Sequence, residues 1–266
     1  MRYIAHMSQS LTFFKYHGAG NDFIIIDYEQ NPIELTQAQI ASLCKRRYGV
    51  GADGLMYYRN SKTHDFEMVY FNSDGSESSF CGNGARCIVR FALKHKGLNS
   101  KITFSFKGDS YQAEAQGDEI KLRMNPVSLI DELPSGNLFL DTGSPHQIIW
   151  VNNLAELDVD TKGRSIRNAF SEAGCNVNFV EKLEDNQFAI RTYERGVESE
   201  THACGTGITA AAIAAHFQGK SNSNEIKLKA VGGSLIVSFE PNHKGYQNIY
   251  LQGPAVEVFA GSLSLI

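Results

Sequence analysis

The sequence predicts an α+β fold of two pseudo-symmetric domains, each a curved sheet around a central helix. Three observations carry that prediction. Short runs rich in Val, Ile, Phe and Tyr, separated by turn residues, outnumber the helical patterns. The segments following Cys81 and Cys204 are helical in pattern and apolar round most of their circumference, the second nearly all Ala and Ile, so other elements must enclose them. Residues 69–85 also recur at 192–208 without a gap, an offset of 123 residues, which marks a duplicated unit. A chain of 266 residues with 42% apolar content suits two domains of roughly 120 residues each, with a sizeable core.

The elements follow in order along the chain. The opening MRYIAHMSQS lacks the apolar segment and small-residue cleavage site of a signal peptide and reads as an extension outside the fold. Residues 23–27 form an apolar strand, and Leu35 and Thr36 then open a helical period over 36–47. A strand over 66–71 leads through a polar turn and Cys81 into a helix over 85–95. Strands over 102–106 and 119–124 complete the first unit. The strand pattern breaks between Pro126 and Pro134, which places the domain boundary there: 11–127 carries Cys81 and 128–255 carries Cys204. The second unit has strands over 176–180 and 188–193, the Ala/Ile helix over 208–217, and strands over 225–229 and 234–239.

Overlaying VYFNSDGSESSFCGNGA on TYERGVESETHACGTGI aligns Tyr70 with Tyr193, Ser76 with Ser199, Glu77 with Glu200, Cys81 with Cys204, and both glycines of each Cys-Gly-x-Gly step. Each copy is a strand, a polar turn, a cysteine and an apolar helix. A pseudo-two-fold axis relating them brings the two Cys-Gly-x-Gly turns face to face.

A cysteine at a helix start meets unpaired N–H groups and the positive end of the macrodipole, which lowers a thiol's pKa toward neutrality. The glycines let the backbone approach a ligand, and the N–H groups form a cradle suited to a carboxylate. With two such turns opposed, one thiolate can remove an α-proton from one face while one thiol supplies a proton to the other. Packing alone gives no reason for a cysteine to recur at a helix start with the same glycines. Cys44, Cys87 and Cys175 read as small buried hydrophobes, and five cysteines make no disulfide framework or zinc-finger spacing. The net charge of -4, without a basic run, gives no footprint for nucleic acid or an anionic membrane. No apolar stretch is long enough to cross a bilayer, so a cytoplasmic protein with a small-molecule partner is expected.

The motifs HGAGNDFIIID (17–27), RRYGVGADG (46–54), FNSDGSESSFCGNGARC (71–87), TGSPHQI (142–148), CNVNFV (175–180) and YERGVESETHACGTG (193–207) together resemble the diaminopimelate epimerase family over nearly the whole chain. The resemblance implies mostly antiparallel sheets, with 256–266 returning to the first domain. It implies interconversion of LL- and meso-diaminopimelate, on the path to lysine and peptidoglycan, without pyridoxal phosphate, other cofactor or metal. Cys81 and Cys204 take the catalytic positions. Asn21, Asn72, Ser144, Asn176, Glu194 and Arg195 would bind substrate, and Gly82, Asn83, Gly205 and Thr206 would present donors at the helix starts. His146 and Glu194 would adjust the charge of the thiols, although a His following Pro in a turn is more often exposed and idle. A homodimer is expected from the family and from symmetry frequencies.

Two departures from the family's usual pattern touch recognition rather than proton transfer: Ser144 stands where Asn usually precedes Pro-His, and the loop at 198–200 is one residue longer. His202 has no assigned role. The nearest alternative is a racemase of the same architecture acting on histidine, proline or hydroxyproline. Asn72, Asn176, Glu194 and Arg195 favour diaminopimelate because they suit a second amino-acid head bearing both charges. A thiol redox or metal-binding protein, or a non-catalytic binding module, would lack proton exchange at a substrate carbon.

Overall fold

The computed structural model describes residues 10–170 and 174–264. The first half of the chain forms β1 (Ser10–Gly18), β2 (Asn21–Asp27), α1 (Gln37–Cys44), β3 (Gly54–Arg59), β4 (Phe66–Asn72), α2 (Gly82–Lys96), β5 (Lys101–Phe106), β6 (Asp109–Gln116) and β7 (Glu119–Arg123). The second half forms β8 (Ile130–Glu132), β9 (Leu138–Asp141), β10 (Pro145–Trp150), α3 (Val159–Phe170), β11 (Asn176–Glu184), β12 (Gln187–Glu194), β13 (Ser199–Thr201), α4 (Gly205–Phe217), β14 (Glu225–Ala230), β15 (Gly233–Asn242), β16 (Gly245–Pro254) and β17 (Val256–Ser264). Every strand and helix expected from the sequence overlaps one of these. Of the opening extension, Ser10 begins β1 and residues 1–9 lie outside the described residues.

The strand pairing repeats as the sequence does. In the first half β2 and β3 are parallel, β3 and β4 antiparallel, β4 and β5 parallel, and β5, β6 and β7 form an antiparallel meander. β10 and β11, β11 and β12, β12 and β14, and the meander β14–β15–β16 follow the same pattern. β1 is flanked by β2 and β17 just as β9 is flanked by β10 and β8. β7 pairs antiparallel with β16 and stitches the halves together. Among the described residues only four pairings are parallel, so the sheet is mostly antiparallel.

The strands wrap α2 and α4. Ile208, Ala210, Ala211, Ala212, Ile213, Ala214 and Ala215 have no exposed surface, and Ala85, Cys87, Ile88, Val89, Phe91 and Ala92 of α2 are equally enclosed. Small side chains on α4 let sheet and helix approach on every side, and one apolar core runs continuously through both halves.

Two helices depart from expectation. α1 opens with a capping box between Thr36 and Gln39 but stops at Cys44 rather than running on to residue 47. The chain after it folds back so that Gly51 and Ala52 N–H groups donate to the Leu43 and Cys44 carbonyls, each at 3.0 Å. α3 was not expected, because Gly163 and its polar residues hide any apolar period. Gly163 is there for contact: a Cβ would come within 2.3 Å of Tyr193 Cβ. The offset of 123 residues that relates the cysteines also carries α1 onto α3, so the repeat held the missing signal.

Candidate active site

Each central helix begins at a cysteine in extended backbone. Cys81 (φ −121°, ψ 113°) caps α2 and Cys204 (φ −107°, ψ 109°) caps α4, so the two copies match in conformation as well as in sequence. Cys81 Sγ accepts a hydrogen bond from the Gly84 N–H at 3.5 Å, and Thr206 Oγ1 lies 3.4 Å from Cys204 Sγ. The turns abut. A Cβ on Gly205 would lie 3.8 Å from Gly82 Cα, and Asn83 Nδ2 donates across the junction to the Ala203 carbonyl at 2.8 Å.

Both turns open on one cleft of about 620 Å³. Ten of the thirteen expected site residues line it: Asn21, Asn72, Cys81, Gly82, Asn83, Glu194, Arg195, Cys204, Gly205 and Thr206. Ser144, His146 and Asn176 stand behind its wall. Asn176 donates to Ser144 Oγ at 2.9 Å and to the Pro145 carbonyl at 3.0 Å, and its own Oδ1 accepts from the Arg195 N–H at 2.9 Å. These residues therefore bear on Arg195 from the rear. His146 is fully buried in β10 rather than exposed in a turn, and reaches the cleft through Thr206, with Nε2 to Oγ1 at 2.9 Å.

Asp53 was not singled out in the sequence, yet it sets Asn21. Asn21 Nδ2 donates to Asp53 Oδ2 at 2.7 Å, and Arg46 holds the other Asp53 oxygen at 2.9 Å. The Asn21 amide oxygen is thereby turned to Cys81 Sγ, 3.7 Å away, and to Asn83 Nδ2 at 3.4 Å. The offset of 123 residues maps Asn21 to Ser144 and Asp53 to Asn176, and that second pair is hydrogen-bonded too. Tyr70 and His202 also line the cleft.

The electrostatics correct one expectation. Burial pushes the Cys81 thiol up to about 11 and the Cys204 thiol up to about 12, and the Glu194 carboxylate adds to both. The Gly84 N–H and the Thr206 hydroxyl pull the other way but are outweighed, because loss of water around a thiolate costs more than a helix start returns. Burial also raises the Glu194 carboxyl, against a hydrogen bond from Thr201 Oγ1 at 2.8 Å. Burial and the nearby Arg195 charge push His146 down to about 3, so the imidazole is neutral at ordinary pH. Cys44, Cys87 and Cys175 sit in apolar clusters away from the cleft lining. Among the described residues no group of three His, Cys, Asp or Glu side chains is placed to hold a metal ion, and no helix is long and apolar enough to cross a membrane.

A family profile described as diaminopimelate epimerase matches residues 13–130 and 138–258. A diaminopimelate epimerase of Flavobacterium psychrophilum is 46% identical over 92% of this chain and 97% of its own length. One from Chlorobaculum tepidum is 44% identical, covering 93% of this chain and 99% of its own. Among solved structures, a phenazine biosynthesis protein of the PhzF family from Bacillus anthracis matches with a TM-score of 0.73 at 16% identity, over 97% of this chain and 100% of that one. A hydroxyproline epimerase from Agrobacterium vitis matches with a TM-score of 0.69 at 12% identity, over 100% of this chain and 94% of that one. These two likenesses concern the fold. The profile spans both cysteine turns and the relatives span nearly the full length, so the chain belongs to the diaminopimelate epimerase family.

Proposed function

We propose that this chain interconverts LL- and meso-2,6-diaminopimelate without a cofactor, on the route to lysine and peptidoglycan precursors, with Cys81 and Cys204 exchanging the α-proton. The observation that carries this reading is the pair of cysteine-capped helix starts abutting in one cleft, in a chain of this family. The substrate's α-carboxylate occupies the N–H cradle formed at Gly82, Asn83, Gly205 and Thr206, which sets the α-carbon between the sulfurs.

One sulfur, as thiolate, takes the α-proton. The C–H electron pair moves into the carboxylate, where backbone donors and the two helix ends stabilise it. The other thiol gives its proton to the opposite face and becomes the thiolate, so configuration inverts and the sulfurs exchange roles. A thiol pushed to about 11 or 12 ionises reluctantly but is a strong base once ionised, which suits a weakly acidic α-proton. The substrate's α-ammonium, brought beside the sulfurs, supplies the positive charge that stabilises one thiolate. Asn21, Asn72, Glu194 and Arg195 hold the substrate, with Arg195 matching the distal carboxylate by its planar fork of donors. Ser144 and Asn176 act from behind Arg195, and His146 with Glu194 sets the charge of the thiols.

We further assign residues 11–127 with 256–266 to the first domain and 128–255 to the second, and we assign the protein to the cytoplasm as a homodimer. Among the described residues β17 pairs only with β1, and its Val256, Val258 and Phe259 are exposed, a surface that a second copy can cover.

The test is deuterium incorporation from D₂O at the α-carbon of diaminopimelate, with inversion followed by circular dichroism. The Cys81→Ser/Cys204→Ser double variant is expected to lose both. Exchange into histidine, proline or hydroxyproline alone would replace the substrate, and activity surviving in the double variant would refute the mechanism.

A further inference from the structure

Beneath the Cys204 turn runs a row of buried polar side chains whose first two members, Thr192 and Asn178, have no place in the mechanism above. Asn178 and His146 are wholly enclosed and Thr192 is 3% exposed, so each group must find a partner or cost stability. Antiparallel register sets Thr192 opposite Asn178, and the parallel pairing of β10 with β11 sets Asn178 against Ile148, so that His146, two residues back along β10, shares its face. The Asn178 amide donates to the Gln147 carbonyl at 3.2 Å, and a carbonyl can only accept, so the nitrogen's position is fixed. Its second hydrogen goes to His146 Nδ1 at 3.0 Å, while Asn178 Oδ1 accepts from the Thr192 hydroxyl at 3.0 Å.

An imidazole that accepts at Nδ1 and is neutral carries its proton on Nε2. His146 therefore donates to Thr206 Oγ1 at 2.9 Å, and Thr206 turns its own hydrogen to Cys204 Sγ at 3.4 Å. Gly207 makes room for the row, since a Cβ there would lie 2.3 Å from Asn178 Oδ1. The positions 123 residues earlier, Val69, Leu55 and Phe23, are apolar, so Cys81 has no such row beneath it.

We propose that Asn178 is a positioning residue for Cys204: by locking His146 in the Nε2–H tautomer it aims the Thr206 hydroxyl at the sulfur and stabilises the thiolate of that cysteine alone. The inference rests on the two-thiol reading above. The charged and titratable groups facing the ends of the row are Glu194 and Cys81 at the sulfur and Arg195 at the imidazole. All are kept in the variants that follow.

Asn178→Asp preserves shape but offers Nδ1 an acceptor, which draws His146 into the other tautomer and leaves Nε2 to take the Thr206 hydrogen away from sulfur. The expected result is a fall in kcat of roughly ten- to a hundredfold, with KM held within roughly twofold. Alkylation of Cys204 by iodoacetamide, resolved from Cys81 by peptide mass spectrometry, should shift to higher pH by about one unit or more while Cys81 holds. On a Thr206→Val background the same substitution should add less than roughly twofold. If thermal unfolding shows that Asn178→Asp does not fold, Asn178→Ala takes its place in the cycle. An unchanged kcat, profiles of the two cysteines that move together, or effects that simply multiply would each overturn the proposal. Alkylation needs no substrate, so failure of the unsubstituted protein to turn over diaminopimelate would count against the parent reading alone.

Discussion

Gly84 and Gly207 occupy the same place in the two copies of the repeat, the fourth position of each Cys-Gly-x-Gly step, and the structure predicts opposite tolerance of alanine there. In a free helix Gly→Ala stabilises by about 1 kcal/mol. At Gly84 the new methyl would lie 2.7 Å from Met56 Cε, the far end of a flexible thioether that can swing aside. The propensity gain and the repacking cost then nearly cancel, leaving a change within about 1 kcal/mol. At Gly207 it would lie 2.3 Å from Asn178 Oδ1 and 3.3 Å from His146 Cε1, against an amide pinned by three hydrogen bonds. Overpacking costs about 1–3 kcal/mol and displaced buried hydrogen bonds about 1–3 kcal/mol more, so after the propensity gain Gly207→Ala is destabilised by about 1–5 kcal/mol. Urea unfolding followed by circular dichroism measures both variants, and kcat is expected to drop in Gly207→Ala far more than in Gly84→Ala. A Gly207→Ala protein as stable as its parent, or no less stable than Gly84→Ala, would show that the row beneath Cys204 is not rigid.

Two further outcomes follow from the buried imidazole and the exposed strand edge. His146 is held down to about 3, whereas an unfolded chain protonates it near 6.5, so its contribution to stability is complete above about pH 6.5 and is lost as pH falls toward 3. Between pH 6.5 and 4.5 that loss is about 2 kcal/mol; urea midpoints should fall less steeply in His146→Gln, and equal slopes would deny the imidazole this role. Phe259→Glu places a charge on the exposed face of β17, and sedimentation velocity should show the parent at twice the chain mass and the variant at the chain mass; a monomeric parent removes the dimer proposal.

What was legible in the sequence is what local chemistry writes there. Eight strands read out because runs such as NDFIIID and EIKLKA declare a pleated, buried or half-buried surface, whereas the buried β1 and β3 did not. β10, β16 and β6 did not, because PHQIIW, GYQNIYLQGP and DSYQAEAQ mix in polar residues that face the site, the solvent or a neighbouring strand. Ten site residues converge because two cysteines and their glycines recur at one offset. Asn178 stayed invisible because its role depends on a diagonal contact between parallel strands, joining residues 32 positions apart. The upward shift of the thiols was equally unreadable, since it comes from closure of the cleft around sulfurs whose helix-start position argues the other way.

The two halves share backbone, pairing and cysteine geometry, and their differences cluster under the cysteines. Asn21 shows Cys81 an amide oxygen, which can only accept and so favours the protonated thiol. Cys204 faces the Thr206 hydroxyl, whose hydrogen is free to meet a thiolate because His146 already supplies the other bond. In the proposed exchange one sulfur must carry a proton while the other does not, and identical surroundings would leave that choice to chance on every binding event. An unequal pair of settings on an otherwise symmetric frame makes the two thiolates unequal in energy, and the Thr206 hydroxyl works against the burial that pushes the Cys204 thiol up to about 12, above the Cys81 thiol at about 11. The duplicated fold thus supplies the opposition of two sulfurs, and the few positions at which the copies diverge make the two sulfurs chemically distinct.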